Sequence, residues 1–367
     1  MMNIAKLTLN GYSNYGNILQ SYALEQILLN FNCNVDTIWI RPNDFLPLKK
    51  WNWKIITKYL LNWHGFKTYV DTGNYGMEIV RQGKIKDWAK SNLNLTDLIS
   101  SINKLADRYD FFVVGSDQVW NPNLPIEVLK DYLLPEIPKD KCIAYAASIS
   151  YPSIPMHLIE TYIKGLSGFK SISMREEDGA RLVKELVGMD VPVVLDPTLL
   201  VNESHWKQLG RKPAWYDGRP YSLTYFLGKR PANLQGALER KRNTINLLDA
   251  KNYDQYVTGI DEFIWAIQHA EHIYTDSFHG AVFSLLMHRP FTVYRRMAAN
   301  EKDSAGAHME SRINNLLKTF NLAQDGTGIL GISKRFDSIN FAEFENILER
   351  EREKSLKFLS YALRGNI

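Results

Sequence analysis

Asp110-Phe111-Phe112-Val113-Val114-Gly115-Ser116-Asp117-Gln118-Val119-Trp120-Asn121-Pro122 decides the fold class. Residues 110–114 are too short for a helix and rich in β-branched and aromatic side chains, so they predict a buried strand. Gly115 ends it, small polar residues follow, and Pro122 closes the turn. The same grammar recurs on both sides. Strands are predicted over 4–9, 35–40, 142–148, 171–174 and 191–195, with helices over 17–30, 96–108, 155–167 and 178–188. Strands alternating with helices predict a mostly parallel sheet covered on both faces. The alternation pauses at 201–220, where Asn202, Gly210, Pro213, Gly218 and Pro220 predict a linker. It resumes as strand 221–227, helix 231–241, strand 244–248, helix 260–269, strand 272–275, helix 279–287 and strand 290–294. Apolar residues at helical spacing from Phe341 to Leu363 predict a closing helix. The expected molecule is therefore α/β. An N-terminal domain (1–200) and a second one (221–338) face a cleft across the 201–220 linker, and 339–367 forms a C-terminal helix. Ligands in such sheets sit beyond the carboxyl ends of the strands.

Composition narrows the function. The 367 residues are 45% hydrophobic and 23% charged, which excludes a disordered chain. Cys33 and Cys142 cannot build a disulfide framework, so a reducing, cytoplasmic setting is expected. The first residues turn polar by Asn10, so no secretory signal is expected, and no apolar run approaches the ~20 residues that span a bilayer. A net charge of +4 is too mild to predict a nucleic-acid partner. The segment 41–70 is different: Arg41, Lys49, Lys50, Lys54, Lys58 and Lys67 stand against Asp44 alone, interleaved with Trp51, Trp53, Tyr59 and Trp63. That pattern suits an interfacial stretch lying on anionic lipid, at the inner face of the plasma membrane; packing on the first domain or contact with an acceptor sugar are the other readings.

Four segments could carry chemistry. Gly11 to Ile18 has the G-x4-G spacing of a phosphate loop, but Asn17 and Ile18 stand where Lys and Ser/Thr are needed, which excludes a nucleoside triphosphatase. The turn through Asn14, Tyr15, Gly16 and Asn17 presents backbone N–H groups to an anion or a sugar hydroxyl, or is a plain strand-to-helix turn. In the second segment Gly115 admits close approach to the backbone. Ser116, Asp117, Gln118 and Asn121 supply hydroxyl-recognising groups, and Trp120 offers a flat face to a sugar ring. The plainer alternative is a capping turn with Trp120 in the core. Arg175, in Ser173-Met174-Arg175-Glu176-Glu177, is an anion fork or half of an ion pair. His279, in Thr275-Asp276-Ser277-Phe278-His279-Gly280, is placed at a helix N-terminus where it can meet an anion and move protons. A structural histidine is the alternative. His269, His272, His279 and His288 lie close in sequence, but no HExxH or paired-Cys pattern accompanies them, so no metal site is expected.

Taken together, these segments resemble the polysaccharide pyruvyl transferase family. The resemblance is carried by Asn14-Tyr15-Gly16-Asn17 with Gln20-Ser21-Tyr22-Ala23-Leu24, VVGSDQVWNP (113–122), AYAASIS (144–150), SMRE (173–176), VLDPTLLV (194–201), and TDSFHGAVFS (275–284) with RPF (289–291). It implies two Rossmann-like domains facing a cleft in a GT-B-like arrangement. It implies transfer of a pyruvyl unit from phosphoenolpyruvate to two hydroxyls of a glycan or lipid-linked sugar, giving a cyclic ketal and phosphate, with no metal or other cofactor. An anion-binding role falls on Arg175 and a catalytic role on His279, flanked by Phe278 and Gly280. Some members carry a basic residue two positions before the histidine. This chain has Ser277 there, and Arg295, Arg296 and Arg312 are the candidates to replace it. Two rivals stand beside this reading. One is a nucleotide-sugar glycosyltransferase with Asp261 or Glu262 on the ribose; the other is a sugar-binding protein without catalysis.

Overall fold

A computed structural model describes residues 1–9, 11–40, 74–99, 101–238, 243–297, 310–329 and 333–364. The whole basic segment 41–70, and with it the membrane expectation, lies outside the described residues.

The first half builds β1 (Met2–Leu7), β2 (Cys33–Thr37), β3 (Phe111–Val114), β4 (Cys142–Ala147) and β5 (Ser171–Met174) into a parallel sheet of order β2-β1-β3-β4-β5. Around it lie α1 (Tyr15–Asn30), α2 (Asn74–Asn92), α3 (Ile126–Leu133), α4 (Ile159–Leu166) and α5 (Glu177–Val187). The order reverses between β1 and β3, so the loops leaving those two strands flank a crevice. Two short helices follow, α6 (Pro197–Leu200) and α7 (Glu203–Leu209).

In the second half β6 (Ser222–Tyr225), β7 (Thr244–Leu247), β8 (His272–Thr275) and β9 (Phe291–Tyr294) are parallel. They alternate with α8 (Leu234–Leu238), α9 (Tyr253–Tyr256), α10 (Ile260–His269) and α11 (Phe278–Leu286). After α12 (Glu310–Thr319), β10 (Thr327–Ile329) and β11 (Ser333–Phe336) add antiparallel to β9. The chain ends in α13 (Phe341–Arg364).

The two halves share apolar contacts. One hydrophobic cluster runs from Ile18 and Leu19 of α1 to Phe263 of α10 and Phe283 of α11. Twelve of the sixteen residues of α1 are buried, so this helix is enclosed on nearly all sides and shows no amphipathic stripe. Its one buried cation pair ties it to the sheet: Lys6 Nζ donates to Glu25 Oε2 at 3.0 Å, and burial pushes the Lys6 ammonium down to about 8 against the pull of Glu25.

Several expectations are corrected. The helix predicted over 96–108 is extended chain with one short 3₁₀ turn, Asn103–Leu105. Thr96 N bonds Thr37 O and Ile99 N bonds Trp39 O, so this stretch lies along β2 as a partial edge strand. Asn94, Thr96 and Ser101 are residues whose side chains compete with helical backbone bonding. Helix α2 was not anticipated, nor was α12. Of the strand expected at 191–195 a single bridge forms, Val193 to Met174, since Pro192 has no N–H to continue the ladder. The expected linker 201–220 contains α7, whose Trp206 is fully buried. Among the described residues no helix is long and apolar enough to cross a membrane.

Candidate active site

Three strand ends, from β3, β5 and β8, bring the candidate residues together. Arg175 is the first residue after β5. Its N–H donates to Ala147 O at 3.0 Å and its carbonyl accepts from Asn315 Nδ2 of α12 at 3.1 Å, so main chain on both sides is fixed. Asp117 follows β3 with φ 73°, a left-handed conformation that Asp tolerates better than most residues and that is enriched where structure is held for function. His279 lies in the first turn of α11. Ser277 caps that helix by accepting from Gly280 N at 3.2 Å, and its own N–H donates to Thr275 Oγ1 at 3.0 Å. All nine residues of α11 are buried, so the histidine is carried into the interior.

The charges meet at Asp196, the N-cap of α6. Its Oδ2 accepts from Arg175 Nη1 at 2.8 Å and from Ser116 Oγ at 2.8 Å, and lies 3.6 Å from His279 Nε2. Its Oδ1 accepts from Thr198 N at 3.0 Å and Thr198 Oγ1 at 2.7 Å. Arg175 Nη2 reaches Asp117 Oδ1 at 3.3 Å, and Arg312 Nη1 stands 3.6 Å from the same oxygen. The Phe278 ring lies near both guanidiniums, with Arg175 Cζ 4.6 Å and Arg312 Cζ 5.9 Å from its centroid, a cation–π arrangement. Glu176 spans two roles: its Oε2 lies 4.0 Å from Arg175 Nε, and its Oε1 accepts from Ser148 Oγ, Ile149 N and Ser150 N and holds the loop after β4.

Electrostatics follow from that geometry. Burial alone would raise the Asp196 carboxyl, but His279 and Arg175 overcome it and hold it well below the usual range. Asp117 is likewise held low against burial by Arg175, His279 and Arg312. Arg175 is raised, its burial outweighed by Asp196, Asp117 and Glu176. Arg312 goes the other way: burial and the like charge of Arg175 push it down to about 9, with Asp117 only partly offsetting them. A guanidinium stays protonated in proteins, so Arg312 remains a buried cation beside Arg175.

The remaining candidates fall into three groups. Gly16 meets the site directly: a Cβ there would come 2.1 Å from His279 Nδ1. Asn14 caps α1 through Gly16 N, and Asn17 bonds Gln20 through its carbonyl. Gly115 packs against Leu24, and Gly280 against Thr275. Gln118 and Asn121 bond each other, and Arg295 is exposed at the end of β9. Two expectations are overturned. Trp120 offers no face to a sugar: it is fully buried, its indole N–H donating to Tyr132 O, because the turn after Gly115 folds the ring under the sheet. Tyr15 is also core, stacked 4.6 Å from Phe263, with its hydroxyl donating to Thr258 O in the other half.

The other polar candidates are engaged elsewhere. Glu262 closes the cap of α10 and pairs with Lys84, and Asp261 pairs with Arg211, so neither is free for a ribose. His269 stacks on Trp265, His272 bonds Thr292, and His288 pairs with Glu345. Asp196 was not anticipated as a site residue. Asp-Pro-Thr reads as an N-cap with Pro at the first helical position, and the partners of the second oxygen, Arg175 and Ser116, come from distant segments that this local reading does not show.

Two α/β halves, one sheet parallel and the other largely so, meet over a buried cluster of two guanidiniums, their carboxylate partners and an imidazole, which is the candidate site. The chain belongs to the polysaccharide pyruvyl transferase family: the family model for polysaccharide pyruvyl transferase matches residues 14–296, most of the chain. The family's activity is transfer of a pyruvyl group to a glycan. Among curated proteins no sequence match is found. Similar solved structures include UDP-GlcNAc 2-epimerase from Neisseria meningitidis bound to UDP-GlcNAc (10% identity, all of both chains, TM-score 0.42). A putative UDP-N-acetylglucosamine 2-epimerase from Listeria monocytogenes is similar at 10% identity, with 100% of this chain and 98% of that one covered and a TM-score of 0.45. UGT89C1 from Arabidopsis thaliana is similar at 9% identity, 99% and 94% coverage, and a TM-score of 0.40.

Proposed function

We propose that this chain transfers the pyruvyl group of phosphoenolpyruvate to two hydroxyls of one sugar in a glycan or its lipid-linked precursor. The products are a cyclic ketal and inorganic phosphate. The observation that carries the reading is the buried Arg175–Asp196–His279 cluster with Arg312 beside it. Phosphoenolpyruvate carries a carboxylate and a phosphate, which need charge-assisted donors. Arg312 and the backbone N–H groups opening α11 supply them. Arg175 has its fork on Asp117 and Asp196, so it binds the donor only by exchanging one of these partners; otherwise it positions both.

The reaction balances as follows. A proton adds to the methylene carbon and makes it methyl, while the first sugar oxygen bonds to the adjacent carbon. The second sugar oxygen displaces phosphate at that carbon. Of the two hydroxyl protons, one replaces the proton given to the methylene and the other leaves with phosphate. His279 is the group placed to accept and return the proton, with Asp196 3.6 Å from its Nε2. A cavity of about 40 Å³ lies against Arg175, Asp196, Phe278 and Arg312, room for water but not for the donor, and His279 does not line it.

The test is to incubate the protein with phosphoenolpyruvate and a panel of free and lipid-linked sugars. Acceptor-dependent phosphate release together with a ketal methyl singlet by NMR is expected. Consumption of a nucleotide sugar with no phosphate release from phosphoenolpyruvate would overturn the proposal.

A further inference from the structure

A second cavity lies in the first half, away from the buried cluster. It is a groove of about 850 Å³ between one face of α2 and residues 93–98, the partial edge strand beside β2. That volume is in the range of ordinary ligand sites. Its wall is amphipathic. Trp39 is half-buried and stacked on Tyr12, with centroids 5.1 Å apart and planes 21° from parallel, which fixes the indole as a platform. Gln82, Lys86 and Lys90 recur every four residues along the facing side of α2. Lys86 and Lys90 are both exposed, and among the described residues neither has a carboxylate partner; Asp97 is the acidic residue lining the groove.

We infer that this groove binds the acceptor as an acidic sugar, with a ring stacked on Trp39 and an anionic substituent held by Lys86 and Lys90. The inference rests on the pyruvyl-transfer reading. Continuity with the site supports it. Tyr12 is four residues before Gly16, and four residues of chain reach at most about 14 Å, so the groove opens within that span of the glycine packed on His279. Arg81, next to Gln82 on α2, donates to Ser13 O at 2.8 Å and fixes the connecting loop to the groove wall. The anion is a carboxylate of the glycan or a phosphate of its carrier; the chemistry at two ammonium groups is the same.

The experiment is calorimetric titration of the full chain, without donor, against three ligands: an oligosaccharide containing a uronic acid, its carboxyl-reduced neutral counterpart, and a glycosyl phosphate. At least one anionic ligand should bind about tenfold more tightly than the neutral one, the size of one charge-assisted hydrogen bond. The arm that gains identifies the source of the anion. Lys86→Gln/Lys90→Gln, both at exposed positions, should melt like the wild type and lose that difference. Equal binding of neutral and anionic ligands, no binding in any arm, or a double variant that still discriminates overturns the inference. If the double variant releases phosphate from phosphoenolpyruvate with an unchanged acceptor KM, the groove reading falls and pyruvyl transfer stands. If anionic sugars bind through the two lysines but phosphate is never released, the groove stands and pyruvyl transfer falls.

Discussion

His279 has one ring nitrogen facing a carboxylate and the other facing a residue without a side chain. Nε2 lies 3.6 Å from Asp196, slightly beyond hydrogen-bond length, and Nδ1 occupies the space a Gly16 side chain would fill. His279→Ala should lower turnover at least ~100-fold, the low end for an acid–base group, while leaving the fold intact; near-normal turnover of the folded variant would remove the histidine from the mechanism. Gly16→Ala forces the imidazole aside and should cut turnover while leaving acceptor affinity in place, read from kcat against acceptor KM. Asp196 and Asp117 add a pH signature. Their native carboxyls are held below the unfolded value of about 3.9, so their contribution to stability is complete above that pH and drains away as pH falls through the lowered values. Denaturant melts from pH 7 to pH 3 should show this acid loss, and Asp196→Asn should flatten it while lowering stability at pH 7. An acid limb unchanged in the Asn variant would show that the loss arises elsewhere. The sequence made the position of His279 legible because a predicted strand followed by a Gly-containing helix start places it at a helix N-terminus. Asp196 was hidden because helix capping fully accounts for its neighbours. Trp120 was misread because residue type says nothing about which side of a turn faces the core.

At the scale of elements, α1 and α12 decide how the site is assembled. Periodicity found α1 but not its role. A helix buried on most of its surface has no polar face to orient it, so its contacts with both halves emerge only in the fold. Leu24, fully buried on α1, meets the backbone at Gly115, the residue that ends β3 and begins the turn to Asp117. Leu24→Ala should cost about 2–5 kcal/mol in urea unfolding, as for other large-to-small core changes. The same change loosens the Ser116–Asp117 turn, so turnover should fall as well. A loss of stability with full turnover would mean the turn is held by its polar contacts to Arg175, Asp196 and Ser148 without Leu24. Helix α12 went unpredicted; it brings Asn315, which holds the Arg175 carbonyl, and Arg312, a candidate only through the family resemblance, and nothing local to 310–319 points to an anion. The misread stretch 96–108 has a similar cause. Its apolar residues are compatible with a helix, and only the pairing with β2 selects extended chain.

At the scale of the molecule, two surfaces are open to test. The basic, tryptophan-rich segment 41–70 predicts salt-sensitive association with vesicles containing anionic lipid. Co-sedimentation should fall as salt rises and weaken when Lys49, Lys50, Lys54 and Lys58 become Gln; a chain that ignores such vesicles at low salt has no membrane contact there. The second surface is the C-terminal helix. After β11, α13 returns to the first half and docks on the segment that carries Asp196. Ser355 Oγ accepts from Leu195 N at 3.0 Å, one residue before Asp196. Arg352 donates to Leu199 O at 2.6 Å and to Val201 O at 3.2 Å, the carbonyls at the end of α6. Thus α6 is held at its N-cap by the buried charged cluster and at its other end by the tail. Arg352→Met keeps the aliphatic stem and removes both donors. It should cost about 1–3 kcal/mol, the penalty for partly buried acceptors left without partners. It should also lower kcat more than it raises donor KM, because the Asp196–His279 geometry suffers before the cationic site does. Arg350→Met, two positions away at a side chain 61% exposed, is the control and should change neither. Equal behaviour of the two variants would mean that α13 supports the fold without reaching the chemistry.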